Sequence, residues 1–187
     1  MLPKFAIADT CFLIDWAKYR RRDLLFKLFN VVYVTESVIR EIKSEDTISW
    51  ISGMLAAGKL ALYTETNDEI NEARELMDRT RTVPIMIHVD LPEALCLVIG
   101  RRRGYTVLTE NRGAIMSTEF IDKYKDVVVW RALEILLAGQ LVGHLNIDCT
   151  NPEKIFLEYE EDTLHIFPRK DYENAIKEVR KRCRKKN

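Results

Sequence analysis

Acidic side chains follow or flank apolar segments at four separate points of the chain. These acids and the amide beside one of them are Asp9, Glu41, Glu93, Glu110 and Asn111. Carboxylates that are brought together repel one another and stay ionised only when a positive charge lies between them. Oxygen ligands favour Mg²⁺ or Mn²⁺, and such an ion can activate water and neutralise a phosphoryl group. If the acids converge, we expect the chemistry of phosphodiester hydrolysis.

The elements that would bring the acids together are five short apolar segments alternating with amphipathic ones. The predicted strands are 4–8, 31–34, 59–65, 105–109 and 127–130. Continuous apolar strands that alternate with helices are typical of a parallel sheet covered on both faces. The fold class is therefore α/β. In such a sheet, ligands bind beyond the carboxyl ends of the strands.

Each acid has a place near that end of the predicted sheet. Asp9 ends the first strand, and Glu110 directly follows the fourth. Glu41 lies on the helix after the second strand, beside its apolar face. Glu93 lies in the first turn of a helix opened by Pro92, where the positive helix end favours an anion. We therefore expect these four segments to converge on one edge.

The pattern changes after Gly143. The stretch 154–168, "KIFLEYEEDTLHIFP", alternates around a polar turn and predicts a β-hairpin. The stretch 171–187 predicts a helix that frays into a basic tail. We expect residues 1–143 to form one domain and residues 144–187 a C-terminal extension, whose deletion should leave the acids assembled.

Composition says more about the cellular compartment expected for the protein than about its function. The 187 residues include 29 basic and 29 acidic ones, and a balanced charge neither indicates nor excludes nucleic-acid binding. The four cysteines are far apart and match no zinc or disulfide framework. No apolar run is long enough to span a membrane. We expect a cytoplasmic protein with reduced thiols that does not associate with a membrane.

Three stretches together resemble the PIN domain, in the same order and at similar spacing. They are "IADTCFLIDWAK", "VYVTESVIREI" and "DLPEALCLVIGRRRGYTVLTENRGA". The resemblance runs roughly from Lys4 to Arg131. It implies a Rossmann-like parallel sheet of about five strands flanked by helices. PIN proteins are typically metal-dependent ribonucleases, including the toxins of VapBC-type toxin–antitoxin pairs. The partners so implied are RNA, an antitoxin-type protein and a second copy in a homodimer.

Matched residue by residue, the resemblance makes Asp9, Glu41 and Glu93 the principal metal-site acids. Thr10 matches the hydroxyl residue that supports the first acid, and Thr109 matches the threonine of the fourth motif. This chain departs from the family two residues after that threonine, where an aspartate is common and Asn111 stands here. Glu110 could substitute for it, or Asn111 could hold a water. The ion would be Mg²⁺ or Mn²⁺.

Simpler interpretations compete with this one. Asp9 alone could be a helix N-cap, Glu41 a solvated helix residue, and Glu93 a first-turn acid that interacts with the helix dipole. A PIN scaffold of weak or no activity, serving as an RNA-binding or assembly module, is the main alternative function, and Asn111 supports it. A phosphatase of the haloacid dehalogenase type requires Asp-x-Asp, and Cys11 occupies the second position.

Other charged groups receive less specific interpretations. The basic clusters 18–22 and 101–103 fit helix ends favoured by the dipole. The tail 177–186 could contact phosphate or merely solubilise the terminus. The stretch 16–29 pairs aromatic residues with arginines, as partner surfaces do. Asp15, Asp90 and the three histidines, including His165, are interpreted as structural or incidental.

Overall fold

The computed structural model describes residues 4–184, and its strands form one sheet in the order β3-β2-β1-β4-β5. Every neighbouring pair of strands is parallel. The strands are β1 (Phe5–Ala8), β2 (Val31–Thr35), β3 (Leu60–Tyr63), β4 (Thr106–Leu108) and β5 (Val129–Trp130). The predicted α/β fold is confirmed. The chain reverses its direction across the sheet between β1 and β4, which is where such folds open a crevice.

Helices cover both faces of the sheet. They are α1 (Thr10–Lys18), α2 (Leu25–Leu28), α3 (Glu36–Glu41), α4 (Glu45–Ala56), α5 (Asn67–Thr82), α6 (Leu91–Arg103), α7 (Arg112–Phe120), α8 (Ala132–Leu141), α9 (Lys154–Thr163) and α10 (Arg169–Arg184). Side-chain caps begin three of the helices after a strand: Asp9 caps α1, Thr35 caps α3 and Asn111 caps α7. Within residues 4–184, no helix combines the length and apolar character needed to cross a membrane.

The central helix α6 packs closely on the sheet. Its residues from Ala94 to Gly100 are buried. Gly100 is required there, because a Cβ atom would collide with the side chain of Val107 in β4. Gly104 then ends the helix at a φ of 67°, a left-handed conformation that glycine adopts without strain. This packing holds the first turn of α6, with Glu93, at the carboxyl edge of the sheet.

The predicted β-hairpin at 154–168 is wrong, because most of that stretch is helix α9. Its buried residues are Ile155, Phe156, Tyr159 and Thr163, which recur at helical spacing on one face. Residues 160–163, which are predicted to form the turn of the hairpin, instead form the last turn of helix α9. Leu164, at a φ of 59°, ends it. The predicted basic helix is present as α10, and residues 185–187 of its tail lie outside the described residues.

The expectation of reduced thiols throughout is also wrong. Cys149 and Cys183 form a disulfide across a separation of 34 residues, with their Cα atoms 5.7 Å apart. It joins the segment before α9 to the last turn of α10. Cys11 and Cys96 are free. Neither local spacing nor a motif marks this pair, because the two cysteines meet only when α10 returns across the molecule.

The basic clusters hold helices together. Arg20 donates to Asp162, and Arg21 donates to Glu158, both on α9. The ring of Tyr159 lies 5.7 Å from that of Trp16 and 5.1 Å from that of Tyr19. Helix α9 therefore contacts residues 16–21 of the stretch 16–29 that sequence alone offered as a partner surface.

The second cluster pairs with helix α5. Arg101 and Arg102 both bind the buried carboxylate of Glu72, and Arg103 reaches Glu69. Burial alone would raise the pKa of Glu72, but hydrogen bonds from Arg102, Lys123 and Arg101 lower it to about 2. These arginines stabilise the α5–α6 pair.

Candidate active site

Asp9 lies where β1 meets α1, and its side chain is fully buried. One carboxylate oxygen accepts a hydrogen bond from the amide of Phe12 at 2.9 Å, so Asp9 is the N-cap of α1. The other accepts a hydrogen bond from the hydroxyl of Thr109. The amide of Asp9 donates to the carbonyl of Leu108 at 3.0 Å. The carboxylate is therefore fixed between the ends of β1 and β4.

Burial makes the charged form of Asp9 unfavourable. It raises the pKa of this carboxyl to about 6, although the Thr109 hydroxyl and the Phe12 amide partly offset the effect. The negative charge of Glu93 acts in the same direction as burial. A cation placed beside Asp9 would restore the ordinary preference for the ionised form.

Glu41 reaches the same edge from helix α3. The hydroxyl of Thr10 donates to its Oε2 atom at 2.7 Å, and the residue is otherwise exposed. This bond connects the first turn of α1 to the last turn of α3. Thr10, which the resemblance places beside the first acid, thus links two of the elements that carry candidate site acids.

Glu93 lies in the first turn of α6 and contacts Asn111. The Asn111 side-chain amide donates to Glu93 Oε1 at 3.1 Å, while its carbonyl oxygen caps α7 by accepting from Ala114. Glu93 Oε2 is buried, and within residues 4–184 it has no hydrogen-bond partner. Burial raises the pKa of Glu93, and the nearby charges of Glu41 and Asp90 raise it further.

Glu110 contacts the start of α8 and His165. Its Oε1 atom accepts a hydrogen bond at 2.7 Å from the amide of Ala132, the first residue of α8. Burial raises the pKa of Glu110 to about 7, and the charge of Arg131 only partly counters this effect. The side chain is therefore held by a different element from those that surround Glu93.

Sequence reasoning missed His165, which lies between α9 and α10. Its Nε2 atom is 3.6 Å from Glu110 Oε2, and its Nδ1 atom is 3.9 Å from Asp15 Oδ2. Burial lowers the pKa of the imidazole. No local signal could have identified His165, because its position depends on where α9 ends.

The structure brings Asp9, Glu41, Glu93 and Asn111 to one edge of the sheet, with Thr10 and Thr109 bonded to the acids. In residues 4–184, however, no three His, Cys, Asp or Glu side chains are grouped closely enough to hold a metal ion as they stand. The donor chemistry nevertheless fits a hard cation, since the edge offers carboxylate and amide oxygens. The unpartnered Glu93 Oε2 atom is an available ligand.

Comparisons with known proteins give a limited result. No model of a protein family matches the chain, and no curated protein matches it. The chain is similar to one in the crystal structure of VapBC2 from Rickettsia felis bound to a DNA fragment from their promoter. The identity is 15%, the TM-score is 0.47, and the match covers 68% of this chain and 98% of the other.

Proposed function

We propose that this protein is a metal-dependent endoribonuclease whose carboxylates hold Mg²⁺ or Mn²⁺. The observation that carries the proposal is an imbalance of charge at the sheet edge. In the described part of the chain, no lysine or arginine forms an ion pair with Asp9, Glu41 or Glu93. By contrast, the single carboxylate of Glu72 forms ion pairs with three cations, Arg101, Arg102 and Lys123. The edge acids lack a cation, and a divalent ion would supply one.

The chain's own residues have distinct roles in this proposal. Asp9, Glu41 and Glu93 hold the ion. Asn111 takes the fourth position, because its amide nitrogen donates to Glu93 and its Oδ1 atom, which accepts from Ala114, keeps a second lone pair for the ion. Glu110 is less suited to that position because both of its oxygens face other groups: Oε1 accepts from the Ala132 amide, and Oε2 lies 3.6 Å from the His165 imidazole. When bound, the ion supplies the acidity that activates water and the charge that stabilises the phosphoryl group.

Two threonines position the acids. Thr109 donates to Asp9 and also accepts from the amide of Asn111 at 2.9 Å, so one hydroxyl connects the first acid with the fourth motif. Thr10 similarly holds Glu41. The resemblance to toxins adds an antitoxin-type protein that blocks the site, and a homodimer, as partners to be tested.

The alternative is a scaffold of weak or no activity that binds RNA or assembles with other proteins. Two observations favour it: Asn111 replaces the expected aspartate, and the acids in residues 4–184 are not grouped into a ready ligand set. The two functions differ in whether a divalent ion binds at Asp9.

The deciding experiment is cleavage of a mixed single-stranded RNA pool in Mg²⁺, Mn²⁺ or EDTA. Wild type is compared with Asp9→Asn and with Asp78→Asn, which changes an exposed aspartate of α5. We expect cleavage that requires metal, survives in Asp78→Asn and is lost in Asp9→Asn. Calorimetry with Mn²⁺ gives a second measurement. A folded Asp9→Asn protein that cuts at the wild-type rate would refute the site, and absence of both cutting and Mn²⁺ binding in wild type would support the scaffold.

A further inference from the structure

A cavity of about 620 Å³ lies between the end of α1, the 3₁₀ turn at Arg22–Leu24 and the first half of α4. Its volume is in the range of sites that bind small molecules. Two cations, several hydroxyl groups and one indole line it: Lys18, Arg22, Ser44, Thr47, Ser49 and Trp50.

Arg22 differs from the other basic residues of the cluster 18–22. Lys18 pairs with Asp15, and Arg20 and Arg21 pair with acids of α9. Arg22 instead donates to the backbone carbonyl of Ala17 at 2.7 Å, and within residues 4–184 it forms no ion pair. A guanidinium has five donor N–H groups. The cavity therefore contains a cation with unused donors.

Trp50 supplies a second independent observation. Its side chain is only 6% exposed, and its indole N–H has no acceptor in the described structure. An indole N–H can only donate, and leaving it buried without an acceptor is costly. Trp16 shows the ordinary outcome, since its N–H donates to the carbonyl of Arg22 at 2.9 Å. The guanidinium of Arg22 lies 5.8 Å from the centre of the Trp50 ring.

Together these groups select an anion that has several acceptor oxygens. Guanidinium, ammonium, hydroxyl and indole groups all donate, and phosphate oxygens accept such bonds well. Asp46 also lines the cavity, and it is the one acid among the lining residues within 4–184. It opposes an anion, so its removal should strengthen binding of a phosphate and weaken binding of a cation.

The position of the cavity relates it to the acids. Helix α1 begins at Thr10 beside Asp9 and has 9 residues, so its far end lies about 13 Å from the site. Helix α4 begins at Glu45, shortly after Glu41. We infer that the cavity binds a backbone phosphate of the RNA strand whose scissile phosphate lies at the acids. This inference rests on the proposed function and adds to it a second contact with the substrate.

The test is RNA binding in EDTA, where no metal-dependent cleavage can occur. A short oligouridylate, AMP and inorganic phosphate are titrated into ¹⁵N-labelled full-length protein, and the three tryptophan indole signals are followed. Trp50→Phe assigns the Trp50 signal. We expect the oligouridylate to shift that signal and to bind more tightly than AMP or phosphate.

Replacing a basic and an acidic residue of the cavity tests whether binding depends on its charge. Arg22→Ala should weaken oligouridylate binding by about tenfold or more and reduce its salt slope by about 1. Asp46→Asn should strengthen binding. Arg169→Ala is the matched control, because it removes an arginine whose side chain is 93% exposed on α10. We expect no change in its affinity.

Three results would overturn the inference. In the first, the oligouridylate binds without moving the Trp50 signal. In the second, AMP moves that signal and the oligouridylate does not, which would indicate a free-nucleotide site. In the third, Asp46→Asn weakens binding. Failure of the proposed function would look different, since Asp9→Asn would then retain wild-type cleavage or wild type would bind no Mn²⁺, whatever Arg22→Ala does.

Discussion

Asp9 combines a structural role with an electrostatic cost. As the N-cap of α1 it accepts from Phe12, which is the simple explanation open to any aspartate at a strand-to-helix junction. A cap on a protein surface would not need to be fully buried, nor to receive a second bond from Thr109 on another strand. The two roles coexist, because the cap fixes the carboxylate where the neighbouring acids can reach it.

The titration of the buried acids gives a prediction at this scale. Asp9 and Glu110 have folded pKa values of about 6 and about 7, above their ordinary values of 3.8 and 4.5. The folded protein therefore keeps protons that the unfolded chain has released. In EDTA, the contribution of these two carboxyls to the free energy of unfolding should fall as the pH rises from about 4 to about 7.

Urea denaturation at a series of pH values checks this expectation. Asp9→Asn cannot titrate, so its stability should fall less over the same interval. At pH 8 it should exceed wild type by about 2–3 kcal/mol, because asparagine is an equally good cap. A stability difference between the two proteins that stays constant from pH 4 to pH 8 would show that Asp9 titrates normally. Glu72 acts in the opposite direction, because its contribution is present above its ordinary pKa of 4.5 and is lost as the pH falls toward its folded pKa of about 2.

At the scale of elements, α9 is held on α1 chiefly by Tyr159, whose ring packs against Trp16 and Tyr19. Its hydroxyl is buried and has no hydrogen-bond partner in the described residues. The ring therefore stabilises the contact and the hydroxyl does not. Tyr159→Ala should lower the free energy of unfolding by about 3–5 kcal/mol.

Tyr159→Phe is the matched control for that measurement. It keeps the ring and removes the unpartnered hydroxyl, so its stability should equal or exceed that of wild type. Both variants are compared by urea denaturation at one pH. Equal losses in the two variants would mean that the hydroxyl, through a bound water, is what holds α9 in place.

The disulfide between Cys149 and Cys183 gives a second prediction about elements. Closing a loop of this length restricts the unfolded chain and stabilises the folded one by about 3–4 kcal/mol in the chain-entropy account. Reduction of wild type should lower its Tm to that of the Cys149→Ser/Cys183→Ser double variant. The double variant itself should not respond to reductant. A wild-type Tm that reductant leaves unchanged would contradict a contribution of the disulfide to stability.

At the scale of the whole molecule, a formal charge of zero conceals an uneven arrangement. The arginines of 20–21 and 101–103 are matched by acids of α9 and α5. The acids at the carboxyl edge have no such match among the described residues. Balanced composition therefore coexists with a local excess of negative charge, which is the condition a divalent ion would relieve.

The division at Gly143 remains a prediction, and the packing of residues 144–187 leads us to expect that removing them destabilises the rest of the chain, contrary to the expectation from sequence. Helix α9 buries Tyr159 against α1, and α10 packs Ala175, Ile176 and Val179 into the shared core. A chain of residues 1–143 would expose Trp16 and Tyr19. We expect it to melt at a lower temperature than the full chain or to aggregate, as judged by circular dichroism and size-exclusion chromatography. If it melts at the same temperature and binds Mn²⁺ equally well, the extension is an independent addition.

Local patterns of sequence determined the sheet and the positions of most candidate site residues. The apolar segments around 5–8, 31–34 and 105–109 become parallel strands because, apart from Phe5, their residues are buried or half-buried on both faces of the sheet. The caps Asp9, Thr35 and Asn111 are short-range signals that set where helices begin. Because strand ends and helix starts are encoded locally, the edge where Asp9, Glu93 and Asn111 meet could be predicted.

Only the tertiary structure decided the features that depend on contacts between distant segments. The order of polar and apolar residues in 154–163 is compatible with a strand or a helix. The segment is a helix in the folded chain, where Tyr159 packs against Trp16 of α1. The path of the chain through α9 and α10 likewise brings Cys149 to Cys183 and places His165 beside Glu110. Burial, which raises the pKa of Asp9, is likewise a property of the packed molecule.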